Sequence, residues 1–306
     1  MTVLDRLRPW TTTGVGSLPF GDASAAAAHA VAAYELPFCP QLPRLEGDMI
    51  SEWLGADPGR CGWSVERDRE RPRAWDAFLA ELRRHPPRHR LVKLQVTGPA
   101  TLACALERDG GGRPSRHEAL VLAEEVARWL AANTATQVPR LAELGFDSVL
   151  VVDEPALAIF GIDGVERAWE PLRTVAPAWG LHLCCHVPWG LIERAEPDLL
   201  SFDLALDPLD DEAAAVLRRH LERGGWVAWG AIGVERPEHG RDGVRRLDIA
   251  LSRLDTDSAC SLLTASCGSG RMSVRREREI VAGLNDVTAA MRGRAGADRS
   301  IRIANQ

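Results

Sequence analysis

Nowhere does this chain hold a run of about 20 consecutive apolar residues, so it offers no transmembrane span. Its opening segment, 1–10, carries Asp5, Arg6 and Arg8 and lacks the apolar stretch of a signal peptide, so a cytoplasmic location is expected. An excess of basic charge is missing too. The 37 Lys and Arg stand against 43 Asp and Glu, a formal net charge of −6, which argues against a nucleic-acid-binding face. The Arg-rich stretches 67–73 and 83–90 are broken by acidic residues or proline and read as solvated faces. The cysteines lack the spacing of a small disulfide scaffold. They number seven, an odd count, and are scattered, so free thiols in a reducing compartment fit better than disulfides. Cys39, Cys61, Cys104 and Cys260 are expected to be inert core residues. No Gly-x-Gly-x-x-Gly follows the first strand-like segment, which weakens a dinucleotide-binding open sheet; Gly14-Val15-Gly16 alone is too short a signal. Repeats and low-complexity linkers are absent, Gly110-Gly111-Gly112 reads as a loop tip, and a single domain over 1–306 is expected.

What the chain does have is a regular alternation of two periodicities. Apolar residues make up 45% of it, ample for a core. Short strand-like runs fall at 11–17, 91–97, 148–152, 181–185, 199–204, 226–232 and 261–265. Helical spacing marks 25–34, 165–175, 191–194, 211–223, 243–254 and 274–291, and a long helix over 117–144 is expected to bend near Pro139. Strand–helix units of about 30–40 residues predict an α/β fold with a parallel sheet wrapped by helices. A count near eight at this length predicts a single (β/α)8 TIM barrel.

In such a barrel chemistry gathers where strands end, because the loops there converge on one mouth. Leu181-His182-Leu183-Cys184-Cys185-His186 is the most telling strand end. Alternate side chains share a face, so His182, Cys184 and His186 point one way and Cys185 the other. A His-x-Cys pair with a distant Cys267, at the end of another strand, is how a fold collects nitrogen and sulfur ligands for zinc. Other strands stop at Ser17, at Gln95 and Thr97, at Asp153 and Glu154, at Asp203 and near Glu235, with Glu46 and Asp48 in an early loop. For Asp153-Glu154-Pro155 the competing reading is a helix cap after a strand. Trp189 reads as a core residue slightly before a mouth residue, and Lys93, on one face with Gln95, as an anion binder or an ion-paired lysine.

Five segments occur in order over nearly the whole chain: Thr12-Thr13-Gly14-Val15-Gly16-Ser17-Leu18-Pro19, Val96-Thr97-Gly98-Pro99, Val152-Asp153-Glu154-Pro155-Ala156-Leu157, His182-Leu183-Cys184 and Ser266-Cys267-Gly268. Together they resemble the C-terminal catalytic barrel of cobalamin-independent methionine synthase, within a wider group that includes uroporphyrinogen decarboxylase-like barrels. The resemblance implies zinc held by His182, Cys184 and Cys267, with the family's glutamate ligand falling on Asp203, or with His186 standing in for it. It implies contacts from Ser17 and Asp153 to an amino-acid thiol, homocysteine by default, with Glu46 a stand-in for a loop glutamate. Where the family has the histidine that serves as acid, this chain reads Gly233-Val234-Glu235, which assigns the proton work to Glu235. The implied activity is methyl transfer to a thiol from a methyl-folate or a corrinoid protein. These 306 residues match only the C-terminal barrel of the family, so the chain is expected to resemble the short relatives that take the methyl group from a corrinoid.

Two alternatives remain at this point. A metal-free lyase resembling uroporphyrinogen decarboxylase would need cations around a polycarboxylate, and Arg44, Lys93 and Arg271 are the candidates. A barrel that binds zinc or a small molecule without turnover is the other, and Glu235 in place of a histidine points that way.

Overall fold

The computed structural model describes residues 2–54, 72–109, 115–161, 163–236, 240–254 and 260–304. Cys61, the stretch 67–71 and the 110–112 glycines lie outside them. Seven strands form one all-parallel sheet: β1 (Thr11–Thr12), β2 (Leu91–Thr97), β3 (Asp147–Asp153), β4 (Ala178–Leu183), β5 (Leu199–Asp203), β6 (Trp226–Ile232) and β7 (Ser261–Ala265). Their order is β1-β7-β6-β5-β4-β3-β2, so each strand from β2 to β7 lies beside its neighbour in sequence and the last returns to the first. Every residue of β2, β4, β6 and β7 is buried, as expected of strands covered on both faces.

Among the described residues seven strands stand where about eight are expected, and the segment between β1 and β2 bears on the difference. Parallel bridges join Gln41 to Ser17 and Phe38 to Lys93. Leu36 N–H donates to the Thr12 carbonyl at 2.9 Å and Gln41 N–H to Gly16 at 3.1 Å, while Cys39 N–H donates to Lys93 at 3.2 Å. Pro37 and Pro40 interrupt the run, and a proline has no N–H to give a ladder.

Helices pack the outside. The long helix expected over 117–144 is two, Arg116–Ala135 and Gln137–Ala142. The break falls at Thr136 because the Pro139 ring clashes with the carbonyl four residues earlier, at Ala135. A Ser115–Glu118 capping box starts the first of the pair. Helices at Pro43–Glu46, Met49–Leu54, Trp75–Arg84, Pro99–Asp109 and Leu157–Phe160 were not legible in the periodicity. Among the described residues no helix is long and apolar enough to cross a membrane.

Two buried polar groups brace this frame. Glu154, fully buried, accepts from Ala100 N–H at 3.1 Å, Thr101 N–H at 2.8 Å, Thr101 Oγ1 at 2.7 Å and Trp169 Nε1 at 3.0 Å. It therefore caps the Pro99–Asp109 helix, not the helix that follows β3. A Cβ on Gly98 would lie 2.1 Å from the Glu154 carboxyl carbon, so only glycine fits there. His220, also buried, places Nε2 2.9 Å from the Trp226 carbonyl and Nδ1 2.9 Å from Arg223 Nη2. One nitrogen donates and the other accepts, which is the neutral ring, and burial pushes its pKa down to about 4.

Two predictions follow from these braces. Gly98→Ala should lower stability by about 3 kcal/mol in urea denaturation, because a hydrogen-bonded buried carboxylate has nowhere to move. For His220, the folded pKa lies below the unfolded one, so the unfolded chain binds the extra proton. Stability should fall as pH drops from about 6.5 toward 4, by up to about 3 kcal/mol. A His220→Gln variant should lose that part of the slope, measured by denaturation across the same pH range.

Candidate functional site

The parallel register lines up chemically active residues on one rung. Thr97 of β2 pairs with Asp153 of β3, Asp153 with His182 of β4, and His182 with Ser201 of β5. His182 is buried, and its Nδ1 lies 2.9 Å from Ser201 Oγ. That contact turns Nε2 toward the strand ends, where it is buried and has no hydrogen-bond partner. Cys184 follows just past β4. Cys267 arrives from the far side of the sheet, just past β7. One ligand atom from each of His182, Cys184 and Cys267 lies within 4.8 Å of the others. Cys185 points away, its Sγ 3.8 Å from the Glu154 carbonyl, as strand alternation requires.

Ser17 secures the Cys267 side. Its carbonyl accepts from Ser269 N–H at 3.0 Å and its Oγ from Gly270 N–H at 3.2 Å. A Cβ on Gly268 would lie 2.2 Å from Ser17 Oγ, so the glycine lets the loop close down. The segment that follows β1 thereby holds the loop that presents the last cysteine.

These groups open into a cavity of about 380 Å³, whose wall includes Ser17, Asp153, His182, Cys184, Glu235 and Cys267. Gln41, Asp48, Glu52 and Arg271 contribute the other polar side chains, and Val15, Leu42, Met49, Val234 and Met272 an apolar part. A larger surface concavity, about 1010 Å³, lies between the helices Gly240–Leu254 and Val274–Ala304, and has neither a histidine nor a cysteine in its lining.

Charge in the cavity is finely set. Asp153 is 4% exposed and its Oδ1 has no hydrogen-bond partner. Burial pushes its carboxyl up to about 6, against the pull of His182 and Lys93. Lys93 lies beneath, its Nζ 2.5 Å from the Val15 carbonyl and 3.1 Å from Gln95 Oε1, and burial brings its pKa down to about 8. Of the two thiols Cys267 is the more acidic. A hydrogen bond from Cys184 holds it below the usual thiol range despite its burial, with His182 acting in the same direction. The same bond, together with burial, holds Cys184 up.

The other residues expected at the site are placed differently. Asp203 stands outside the cluster; its Oδ1 accepts from Ala205 N–H at 2.8 Å and caps the turn after β5. His186 is 77% exposed and pairs with Asp207 at 3.1 Å, so it does not reach the cluster either. Glu46 ends the Pro43–Glu46 helix, and its side chain lies outside the described residues. Glu52 lines the cavity, accepting from Gln41 Nε2 at 2.6 Å. Trp189 packs edge-on against Phe202 with ring centroids 5.4 Å apart, as a core residue does. Periodicity gave no sign of Ser201 or Glu52. Pairing β4 with β5 in register would have singled out Ser201.

No family model matches this chain, and no curated protein is close enough to match. Solved structures do. A B12-independent methionine synthase from Shewanella sp. W3-18-1, in complex with selenomethionine, is 20% identical over 72% of this chain and 68% of its own, with a TM-score of 0.51. A methyltransferase from Methanosarcina mazei is 12% identical over 95% of this chain and 96% of its own, at 0.57. A provisionally named vitamin-B12-independent methionine synthase from Listeria monocytogenes is 12% identical over 93% and 97%, also at 0.57. At these identities the likeness is one of fold. The chain is similar in structure to B12-independent methionine synthases, the resemblance that its motifs carry.

Proposed function

We propose that this chain is a zinc-dependent methyltransferase that moves a methyl group from a folate or corrinoid donor to a thiol, with homocysteine as the acceptor. The observation that carries the reading is the donor set of one nitrogen and two sulfurs in the cavity wall, with the buried His182 Nε2 left without a partner. Three protein ligands and one exchangeable position are the pattern of a catalytic zinc site. Bound there, zinc would keep the acceptor sulfur deprotonated at neutral pH. The set is His182, Cys184 and Cys267; the cap that Asp203 makes and the exposed pair of His186 leave both out.

The chain's own groups do the rest. Ser201 fixes the His182 ring, and Ser17 fixes the Cys267 loop. Asp153 offers an unpartnered carboxylate oxygen to the ammonium group of an amino-acid thiol, and Arg271 a cation to its carboxylate. Glu52 takes the part expected of Glu46. Glu235, in the wall of the same cavity, gives a proton to the nitrogen of a folate donor as the methyl group leaves it, a proton that a departing corrinoid does not need. The structures it resembles are named as B12-independent, which favours a methyl folate as that donor. A polycarboxylate substrate suits the cavity poorly, since Asp48, Glu52, Asp153 and Glu235 face Arg271. Arg44 and Lys93, the other cations such a lyase would need, are engaged with the Met272 and Val15 carbonyls. We infer further that 36–41 supplies the eighth strand of a closed (β/α)8 barrel, a single domain over 1–306.

The test begins with metal. Protein purified without added zinc should contain about one zinc per chain, lost in Cys184→Ser and in Cys267→Ser, and Ser201→Ala should weaken zinc binding by about 10–100-fold in a chelator competition. A chain that takes up no zinc even on reconstitution defeats the mechanism. With homocysteine and methyltetrahydrofolate, Glu235→Gln should lower kcat by about 100-fold and leave zinc content unchanged, whereas with methylcobalamin, whose leaving group takes no proton, it should leave the rate nearly unchanged. Zinc without methyl transfer from either donor would make the chain a binding barrel instead.

A further inference from the structure

We propose that Arg276 is a positioning residue for this reaction, its guanidinium clasping the turn that carries Glu235 and setting that carboxylate against the Cys267 side of the cavity. The inference rests on the reading that Glu235 handles the proton. Arg276 sits in the first turn of the final helix, Val274–Ala304, where Ser273 Oγ accepts from its backbone N–H at 3.1 Å. Its side chain is 11% exposed and reaches back to the turn after β6. Nε donates to the Val234 carbonyl at 3.1 Å, and Nη2 to Gly233 at 2.8 Å and to Arg236. One planar group thus holds carbonyls on both sides of Glu235. Glu279 Oε2, 3.4 Å from Nη1, balances the charge.

This clasp matters because the turn has just left the sheet. Ser266 N–H donates to the Ile232 carbonyl at 2.9 Å, and beyond it the chain turns outward. Glu235 itself is exposed, so its own side chain is not what anchors the turn. The helix that bears Arg276 begins directly after the Cys267–Met272 loop, which lines the same cavity. Arg276 therefore links the proton-handling carboxylate to a metal-ligating cysteine through one short stretch of chain. A lysine cannot reproduce the link, because an ammonium is a point charge and lacks the fixed fork of donors. A general acid displaced by about 1 Å loses much of its effect, so the expected cost falls on kcat.

The experiment uses the zinc-loaded full chain as wild type, Arg276→Met, Arg276→Lys, Glu235→Gln and the Arg276→Met/Glu235→Gln double variant. Homocysteine is the acceptor and methyltetrahydrofolate the donor, because only its departing nitrogen takes up a proton. All variants are expected to keep their zinc. Arg276→Met should lower kcat about 30-fold and leave KM for the thiol within about twofold, with Arg276→Lys recovering little. In the Glu235→Gln background the same substitution should cost almost nothing more, since the two act as one unit. Independent, multiplying losses overturn the clasp as a route to Glu235 and leave the methyltransferase reading intact, as does full activity in Arg276→Met. Full activity in Glu235→Gln removes the proton role of Glu235 and the inference with it, while the zinc site stands. Amide hydrogen exchange needs no turnover: 233–236 should exchange at least about tenfold faster in Arg276→Met while 261–265 stays unchanged. Unchanged exchange at 233–236 overturns the clasp whatever the activity does.

Discussion

The in-register parallel pairing of β2, β3, β4 and β5 is what the rest of the molecule depends on. It puts Thr97, Asp153, His182 and Ser201 on one rung, although the rung spans about a hundred residues of sequence. All parallel strands run in the same direction, so their last residues meet on one side of the sheet. A slip of one residue in any pair would turn His182 or Asp153 to the opposite face and dissolve the cluster. Covalent neighbours then fall into place. Cys184 stands two residues past His182 on the same face, and Cys185, partly buried, packs against the core.

The sheet edge and the loops complete what the rung starts. The first and last strands meet because β1 pairs with β7, and Ser17 docks the loop that carries Cys267. Polar groups buried in this region are for the most part satisfied, as burial demands. Glu154 accepts four hydrogen bonds, and Lys93 is held by a carbonyl and an amide oxygen. Against that background His182 Nε2 and Asp153 Oδ1 stand out as buried atoms left without partners in the wall of a cavity. Unpaired buried polar atoms are costly to the fold alone and useful to a site that binds something. The two atoms lie on neighbouring strands, where a metal ion and a cationic group of a ligand would supply the missing interactions.

Electrostatics follow from the same burial. The cavity wall carries four carboxylates and little cationic charge, which favours a ligand bearing an ammonium group over a polyanion. Lys93 tempers this from below without entering the cavity, and its own pull on Asp153 offsets part of the cost of burying that carboxylate. The two thiols share one hydrogen bond, so one of them is set to be the better anion before any ligand arrives.

The strands and most long helices were legible in the sequence, because apolar periodicity is a local property that burial on both faces of a sheet enforces. So were His182, Cys184 and Cys267 as a group, since strand alternation and strand ends already suggest which side chains converge. The short helices at Pro43–Glu46 and Leu157–Phe160 escaped, being too brief to show a period. The strand-like segment at 36–41 was hidden by two prolines that thin its hydrogen bonds. The resemblance placed Asp203 beside His182, Cys184 and Cys267, and strand alternation placed His186 there. Tertiary structure separated them, because the amides of the turn after β5 claim one carboxylate and Asp207 claims the exposed imidazole. It likewise chose Ser201 as the partner of His182, brought Glu52 of the Met49–Leu54 helix into the cavity wall, and made Glu154 a cap for a helix from another strand. The sequence by itself determined which residues can do chemistry and at which strand ends they lie. Which of them meet was decided by register and by competition for hydrogen bonds, both of which exist only between segments distant in the chain.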